Sequence, residues 1–231
     1  MDERFLQSEG LQVFTGNELL LKGGLEAGVG LMTGYPGSPV AAFFDSLTAN
    51  GELLKEKGIC ATMANNEALS AAMVNGSQMH DIRAMTVMKS VGLHVAMDAL
   101  ALGNLSKYGK KGGALIVVGD DPWSDSTQVP ADSRYAFQHL YMPVIEPSTI
   151  QETKDFVALG LDLSRASDLY MGFIVTTNLA DGGGTVDCFP NRYPHVNVNQ
   201  RVTIDTQNLY LKETVILSPR TAYREADLKD R

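Results

Sequence analysis

The sequence predicts an α/β fold: a mainly parallel, six-stranded sheet flanked by helices, with a C-terminal extension. Three observations predict it. Short apolar runs alternate with helical patterns along most of the chain. One run, Ala-Leu-Ile-Val-Val-Gly-Asp from Ala114, is continuously apolar, as in a parallel strand buried on both faces. The chain has 231 residues, 44% of them hydrophobic, enough for one large core.

In chain order, residues 1–15 read as a lead-in arm. Residues 16–180 form the α/β domain. Gly16-Asn17-Glu18 opens a helical pattern with Leu19, Leu20, Gly23 and Ala27 spaced for one face. Val29 to Met32 is a short strand. Thr33-Gly34-Tyr35-Pro36-Gly37-Ser38-Pro39 follows, too rich in proline and glycine for regular structure. Ser38 is expected to cap a helix that has Pro39 in its first turn and ends at Asn50-Gly51. Strands at Ile59–Met63 and Ile82–Met88 each lead into a helix of small residues, the first opened by Asn65-Asn66-Glu67, the second by Lys89-Ser90-Val91-Gly92. The strand from Ala114 ends in an acidic loop. Asp132 is expected to cap the helix containing Arg134 and Phe137. Pro143–Ile145 and Met171–Thr177 are the remaining strands, with a helix from Ile150 to Ala166 between them. After Asp181-Gly182-Gly183-Gly184 the pattern dissolves. Residues 181–231 read as an extension carrying a strand and a short helix, with a Val-Ile-Leu-Ser-Pro run at 215–219.

The net charge of −8, from 27 acidic and 19 basic residues, argues against a nucleic-acid partner and against anionic membranes. The apolar runs are too short to span a bilayer. The opening Met-Asp-Glu-Arg-Phe lacks the apolar stretch of a signal peptide, and the two cysteines, Cys60 and Cys188, form no CxxC. A reducing cytoplasmic setting is expected. So few thiols do not hold an iron–sulfur cluster within this chain, since a cluster wants about four.

No GxGxxG fingerprint, phosphate loop or GxSxG elbow is present. The four histidines have no partner at helical spacing, and the loop of Asp120, Asp121 and Asp125 reads as solvated rather than metal-binding. Glu67 stands apart. It follows a buried strand and opens a helix with no other charge as far as Gln78. Alone it reads as a helix-start carboxylate. However, its turn, the Lys89–Leu93 turn and the Tyr35–Pro39 loop all fall at the carboxyl ends of strands, where open α/β sheets bind ligands. Gly92 is expected to let a ligand approach the backbone.

Five segments in fixed order carry a family resemblance: GNELLLKGGLEAGVGLMTGYPGSP, NNEALSAA, MTVMKSVGLHVAMDALA, GGALIVVGDD and SRYAFQHLYMPVIEPS. Together they resemble the alpha subunits of indolepyruvate:ferredoxin oxidoreductases, among the thiamine-diphosphate-dependent 2-oxoacid:ferredoxin oxidoreductases. The resemblance implies a pyrimidine-binding (Pyr) domain. It places Glu67 against the cofactor aminopyrimidine, sharing a proton with ring N1′. That favours the 4′-imino form, which takes the proton from thiazolium C2. By the same resemblance Gly34, Tyr35, Pro36, Val91 and Gly92 contact the cofactor, and Gly37, Ser38, Lys89 and Ser90 face the substrate. Lys89 reads either as a partner for a substrate carboxylate or as a surface ion pair.

The chain departs from the pattern at three places. Ser90 stands in place of a histidine, His94 in place of an asparagine, and Asn178–Gly184 in place of a more basic loop. The partner (PP) domain's GDG-and-Asn pattern is missing, because Gly119-Asp120 is followed by Asp121. The resemblance therefore implies a hetero-oligomer. A PP subunit would supply the diphosphate site and Mg²⁺, and ferredoxin-like or other redox subunits would carry Fe–S clusters. Two copies of this chain, a small 2-oxoacid and CoA would complete it, and no metal would be bound by this chain itself. The expected reaction is oxidative decarboxylation of an aryl 2-oxoacid. A non-oxidative decarboxylase and a degenerate assembly subunit remain open beside it.

Overall fold

The computed structural model describes residues 2–106, 112–200 and 217–231. After a 3₁₀ turn at Glu3–Leu6 come β1 (Leu11–Thr15), α1 (Gly16–Ala27), β2 (Leu31–Gly34), α2 (Ala42–Ala49), α3 (Gly51–Glu56) and β3 (Cys60–Met63). Then follow α4 (Glu67–Ser77), β4 (Arg83–Lys89), α5 (Ser90–Leu105), β5 (Gly113–Asp120), α6 (Arg134–His139) and β6 (Val144–Ile145). The chain closes with α7 (Ile150–Ser167), β7 (Met171–Thr176), α8 (Thr177–Asp181), β8 (Gly183–Asp187) and α9 (Arg220–Leu228).

The main sheet has six strands in the order β3-β2-β4-β5-β7-β6, every pairing parallel. All six correspond to strands expected from the sequence. Two apolar layers cover it. One holds the α1, α2 and α7 side chains Leu20, Phe43 and Val157; the other holds Val74, Leu93, Leu100 and Phe137 from α4, α5 and α6. β5 is buried along its whole length, as its unbroken apolar run requires.

The chain leaves β2 for β3 on one side and returns to β4 on the other. The strand order therefore reverses between β2 and β4, and the carboxyl ends of these two strands flank a crevice. This feature of the topology positions the site.

Several local expectations change. Ser38 caps no helix: α2 starts at Ala42, because Gly37–Val40 closes as a turn with the Val40 N–H donating to Gly37 O at 3.0 Å. Asn50-Gly51 does not end helical structure, since α3 begins at Gly51. Ser133, not Asp132, is the N-cap residue of α6; Asp132 accepts from the Arg134 amide instead. The N-terminal segment is tied in at both ends. Phe5 and Phe14 enter the core, and β1 pairs antiparallel with β8, so the arm meets the first part of the extension. α9 supplies the expected short helix, while Val215 and Ile216 of the Val-Ile-Leu-Ser-Pro run lie outside the described residues.

Candidate active site at the β2–β4 crevice

Two connections border the crevice. The first leaves β2 at Gly34, whose φ of 151° is open only to glycine, and where a Cβ would lie 2.8 Å from Phe44 Cζ and from Val87 N. The Tyr35 amide then donates to Val87 O at 3.1 Å, bending the loop toward β4. The second leaves β4 at Lys89 and enters α5 directly. Lys89 is the N-cap residue and makes no side-chain cap. The two connections touch: a Cβ at Gly37 would lie 2.6 Å from Lys89 Cδ, so the lysine stem rests on the glycine of the opposite loop.

Glu67 reaches the crevice from β3. Asn66 caps α4 by accepting from the Leu69 amide at 2.9 Å, which starts the helix on the residue after it. α4 is then locked down. Thr86 Oγ1 of β4 donates to Ser70 Oγ at 2.9 Å, and Asn75 Nδ2 donates to Ala99 O of α5 at 2.8 Å. This packing lays Glu67, 8% exposed, across the first turn of α5, where its side chain lies against Gly92. The room above Gly92, expected for a ligand, is taken by Glu67. Among the described residues no donor and no cation pairs with the Glu67 carboxylate.

The structure thus joins Glu67 to Gly92 and Lys89 to Gly37. Val91 and Tyr35 are exposed beside them, at 39% and 40%. Among the described residues no hydrogen bond or ion pair links Tyr35, Pro36 or Ser38 to Glu67. Ser90 is 2% exposed and its hydroxyl has no partner, while Lys89 makes no ion pair among the described residues. The acidic loop is not the simply solvated one that the sequence suggests: Asp120 and Asp121 are buried, because neighbouring amides and a hydroxyl engage their carboxylates, and of the three only Asp125 is exposed. Asp121 accepts from the amides of Asp125, Ser126 and Thr127; burial raises its pKa, yet those amides together hold it below the usual carboxylate range. Asp120 is engaged by the Ser133 amide and hydroxyl, and burial, partly offset by these bonds, pushes its pKa up. No cluster of metal-ligating side chains occurs among the described residues.

Sequence reasoning missed Asn17. Buried in the first turn of α1, it donates to Pro39 O at 3.0 Å and Ala180 O at 2.9 Å and accepts from the Phe43 amide at 3.2 Å. It clamps the far end of the Tyr35–Pro39 loop. An asparagine at the start of a helix as apolar as Asn17-Glu18-Leu19-Leu20-Leu21 was the available signal.

No family model matches the chain. It is 35% identical over 182 residues to the indolepyruvate oxidoreductase subunit IorA of Archaeoglobus fulgidus, covering 78% of this chain and 29% of that protein. The chain is a relative of the IorA subunits. The IorA of Pyrococcus horikoshii is also 35% identical, over 149 residues, covering 64% of this chain and 22% of that one. The IorA of Methanothermobacter marburgensis is 25% identical over 221 residues, covering 93% of this chain and 35% of that one. The chain therefore spans about a third or less of the IorA proteins it matches. Among solved structures, a 2-oxoglutarate:ferredoxin oxidoreductase from Magnetococcus marinus, with 2-oxoglutarate, coenzyme A and succinyl-CoA bound, shares the fold. Its TM-score is 0.65 at 18% identity, over 87% of this chain and 35% of that one. Among the described residues no helix is long and apolar enough to cross a membrane.

Proposed function

We propose that the chain is the pyrimidine-binding subunit of a multi-subunit 2-oxoacid oxidoreductase, with residues 16–180 carrying its half of a thiamine-diphosphate site. One observation carries the reading: a mostly buried carboxylate, Glu67, stands at the switch-point crevice with no donor to satisfy it among the described residues. Its oxygens keep contact with solvent, so they stay open to a donor from outside the chain, and a ring nitrogen that shares its proton would be such a donor. Bound thiamine diphosphate supplies the carbanion chemistry of 2-oxoacid decarboxylation.

The chain's own residues do the rest on this side. Glu67 holds a proton at the pyrimidine N1′. Gly34, Tyr35, Pro36 and Val91 border the cofactor, and Gly92 lies behind Glu67. Gly37, Ser38, Lys89 and Ser90 face the substrate, with the unpaired Lys89 ammonium toward its carboxylate. The substrate is an aryl 2-oxoacid of the indolepyruvate kind. CoA takes the acyl group, and ferredoxin or a similar carrier takes the two electrons. Kinship to proteins named indolepyruvate oxidoreductase supports this choice. A PP subunit would hold the diphosphate and Mg²⁺, redox subunits would hold the Fe–S clusters, and two copies of this chain would sit in the assembly. Two free thiols suit a cytoplasmic setting.

The test is Glu67→Gln in the complex purified with its partner chains. Turnover is expected to fall roughly 10²- to 10⁴-fold, the usual worth of a positioned acid–base group, with assembly intact. Wild-type turnover in that variant would overturn the reading.

A further inference from the structure

We infer that Gly92 is a positioning residue for Glu67, fixing where the carboxylate stands at the crevice; the inference rests on the proposed role of Glu67. A Cβ at Gly92 would lie 2.7 Å from Glu67 Cγ and 2.8 Å from Cδ, and nearer still to Oε1. Any side chain there occupies the place that the carboxylate now holds.

The backbone does not ask for glycine at this position. Gly92 is not among the glycines with positive φ, and it lies in the first turn of a 16-residue helix. Alanine would favour that helix by about 1 kcal/mol. What glycine supplies here is room, and Glu67 fills it. Two hydrogen bonds oppose a retreat of α4 from this contact. The Asn75–Ala99 and Thr86–Ser70 hydrogen bonds hold α4 against α5 and β4. The displaced group would be the flexible end of Glu67, so the added methyl group moves the acid and leaves the fold in place. Gly76, further along α4, is the natural control: a Cβ there meets nothing within 4 Å.

The experiment compares Gly92→Ala, Gly76→Ala and Glu67→Gln in the assembled complex loaded with thiamine diphosphate. It measures deuterium exchange at the cofactor C2, thiamine-diphosphate affinity and thermal unfolding. Gly92→Ala is expected to melt no lower than wild type and to keep its affinity within a few-fold. Its C2 exchange should slow about 100-fold, the scale expected for a misplacement of about 1 Å. Gly76→Ala should exchange at the wild-type rate. Wild-type exchange in Gly92→Ala, with slow exchange in Glu67→Gln, overturns the positioning role alone. Wild-type exchange in Glu67→Gln overturns the functional reading beneath it. If Gly92→Ala does not assemble, Glu67→Asp decides the matter, because it withdraws the carboxylate from Gly92 and leaves α5 untouched. Slow exchange with retained affinity then supports the inference, and wild-type exchange defeats it.

Discussion

Buried charge occurs on both faces of the sheet, and the two sites are built in opposite ways. On the α1–α7 face, Lys22 and Lys154 are almost wholly buried yet fully partnered. Lys22 donates to Phe5 O, Gln7 O and Asn191 Oδ1, with Glu26 at 3.3 Å. Burial pushes the Lys22 pKa down, against the pull of Glu26. Lys154 meets Glu26 at 2.5 Å and Asp155 at 2.6 Å, and lies 4.5 Å from the centre of the Phe189 ring. This cluster pins the N-terminal segment and residues 188–191 to α1 and α7. On the α4–α5 side, Glu67, Lys89 and the Ser90 hydroxyl have no such partners among the described residues. The satisfied charges act as a clasp; in the function proposed above, the open carboxylate at the switch point is left for a ligand.

The sharpest way to break this contrast is Glu26→Ala. It strips the shared counter-charge from two buried ammonium groups, and breaking a buried pair costs about 3–5 kcal/mol. Urea unfolding of the chain should register that loss, with turnover per folded complex unchanged. A loss below about 1 kcal/mol would mean that the cluster is not a clasp.

Gly23→Ala should come next. A Cβ there lies 2.5 Å from Lys154 O, and the backbone of α7 cannot step aside. Overpacking at such a contact costs about 1–3 kcal/mol, readable as a lower melting temperature. The same glycine-to-alanine change at Gly92 meets a flexible side chain and should spare stability. Two chemically identical substitutions would thus separate clasp from crevice.

Lys89→Met should be smaller still in stability, within about 0.5 kcal/mol, because no ion pair is lost. If Lys89 meets a substrate carboxylate, KM for the 2-oxoacid should rise about tenfold or more, the worth of a charged hydrogen bond. An unchanged KM would return Lys89 to the surface.

The same contrast explains what the sequence could tell. Strands were legible because an apolar run such as Ala114–Val118 needs no knowledge of its neighbours. The crevice was legible in outline, since Glu67 opens an otherwise uncharged helix and two strand-to-helix turns adjoin it. Its detail was not. Gly92 signals only that something comes close, and the structure is needed to say that the something is Glu67. α2 starts later than the sequence suggests, and the contacts that hold Pro39, to Gly119 and Asn17, are far away in sequence. The β1–β8 pair joins the two ends of the folded region and leaves no local trace. Lys22, four residues before Glu26, looks like a surface pair until the arm closes over it.

The smallest expected effect lies at the N-terminus of α7, where the charge is exposed but still fully used. Thr149 and Glu152 form a capping box, and Glu152 Oε2 also accepts from the Ser148 hydroxyl at 2.6 Å and the Ser148 amide at 2.7 Å. The Ser148 hydroxyl foremost, then the amides, hold the Glu152 carboxyl below its usual pKa. Its contribution to stability is therefore present at neutral pH, above the unfolded-state value, and is lost as pH falls through the folded-state value. Glu152→Gln should melt a little below wild type at pH 7. The gap should close progressively on acidification from the ordinary glutamate range downward, as the wild-type carboxylate takes up its proton. A gap that stays constant with pH would assign the effect to helix packing, and the cap would then not belong with the satisfied charges of α1 and α7.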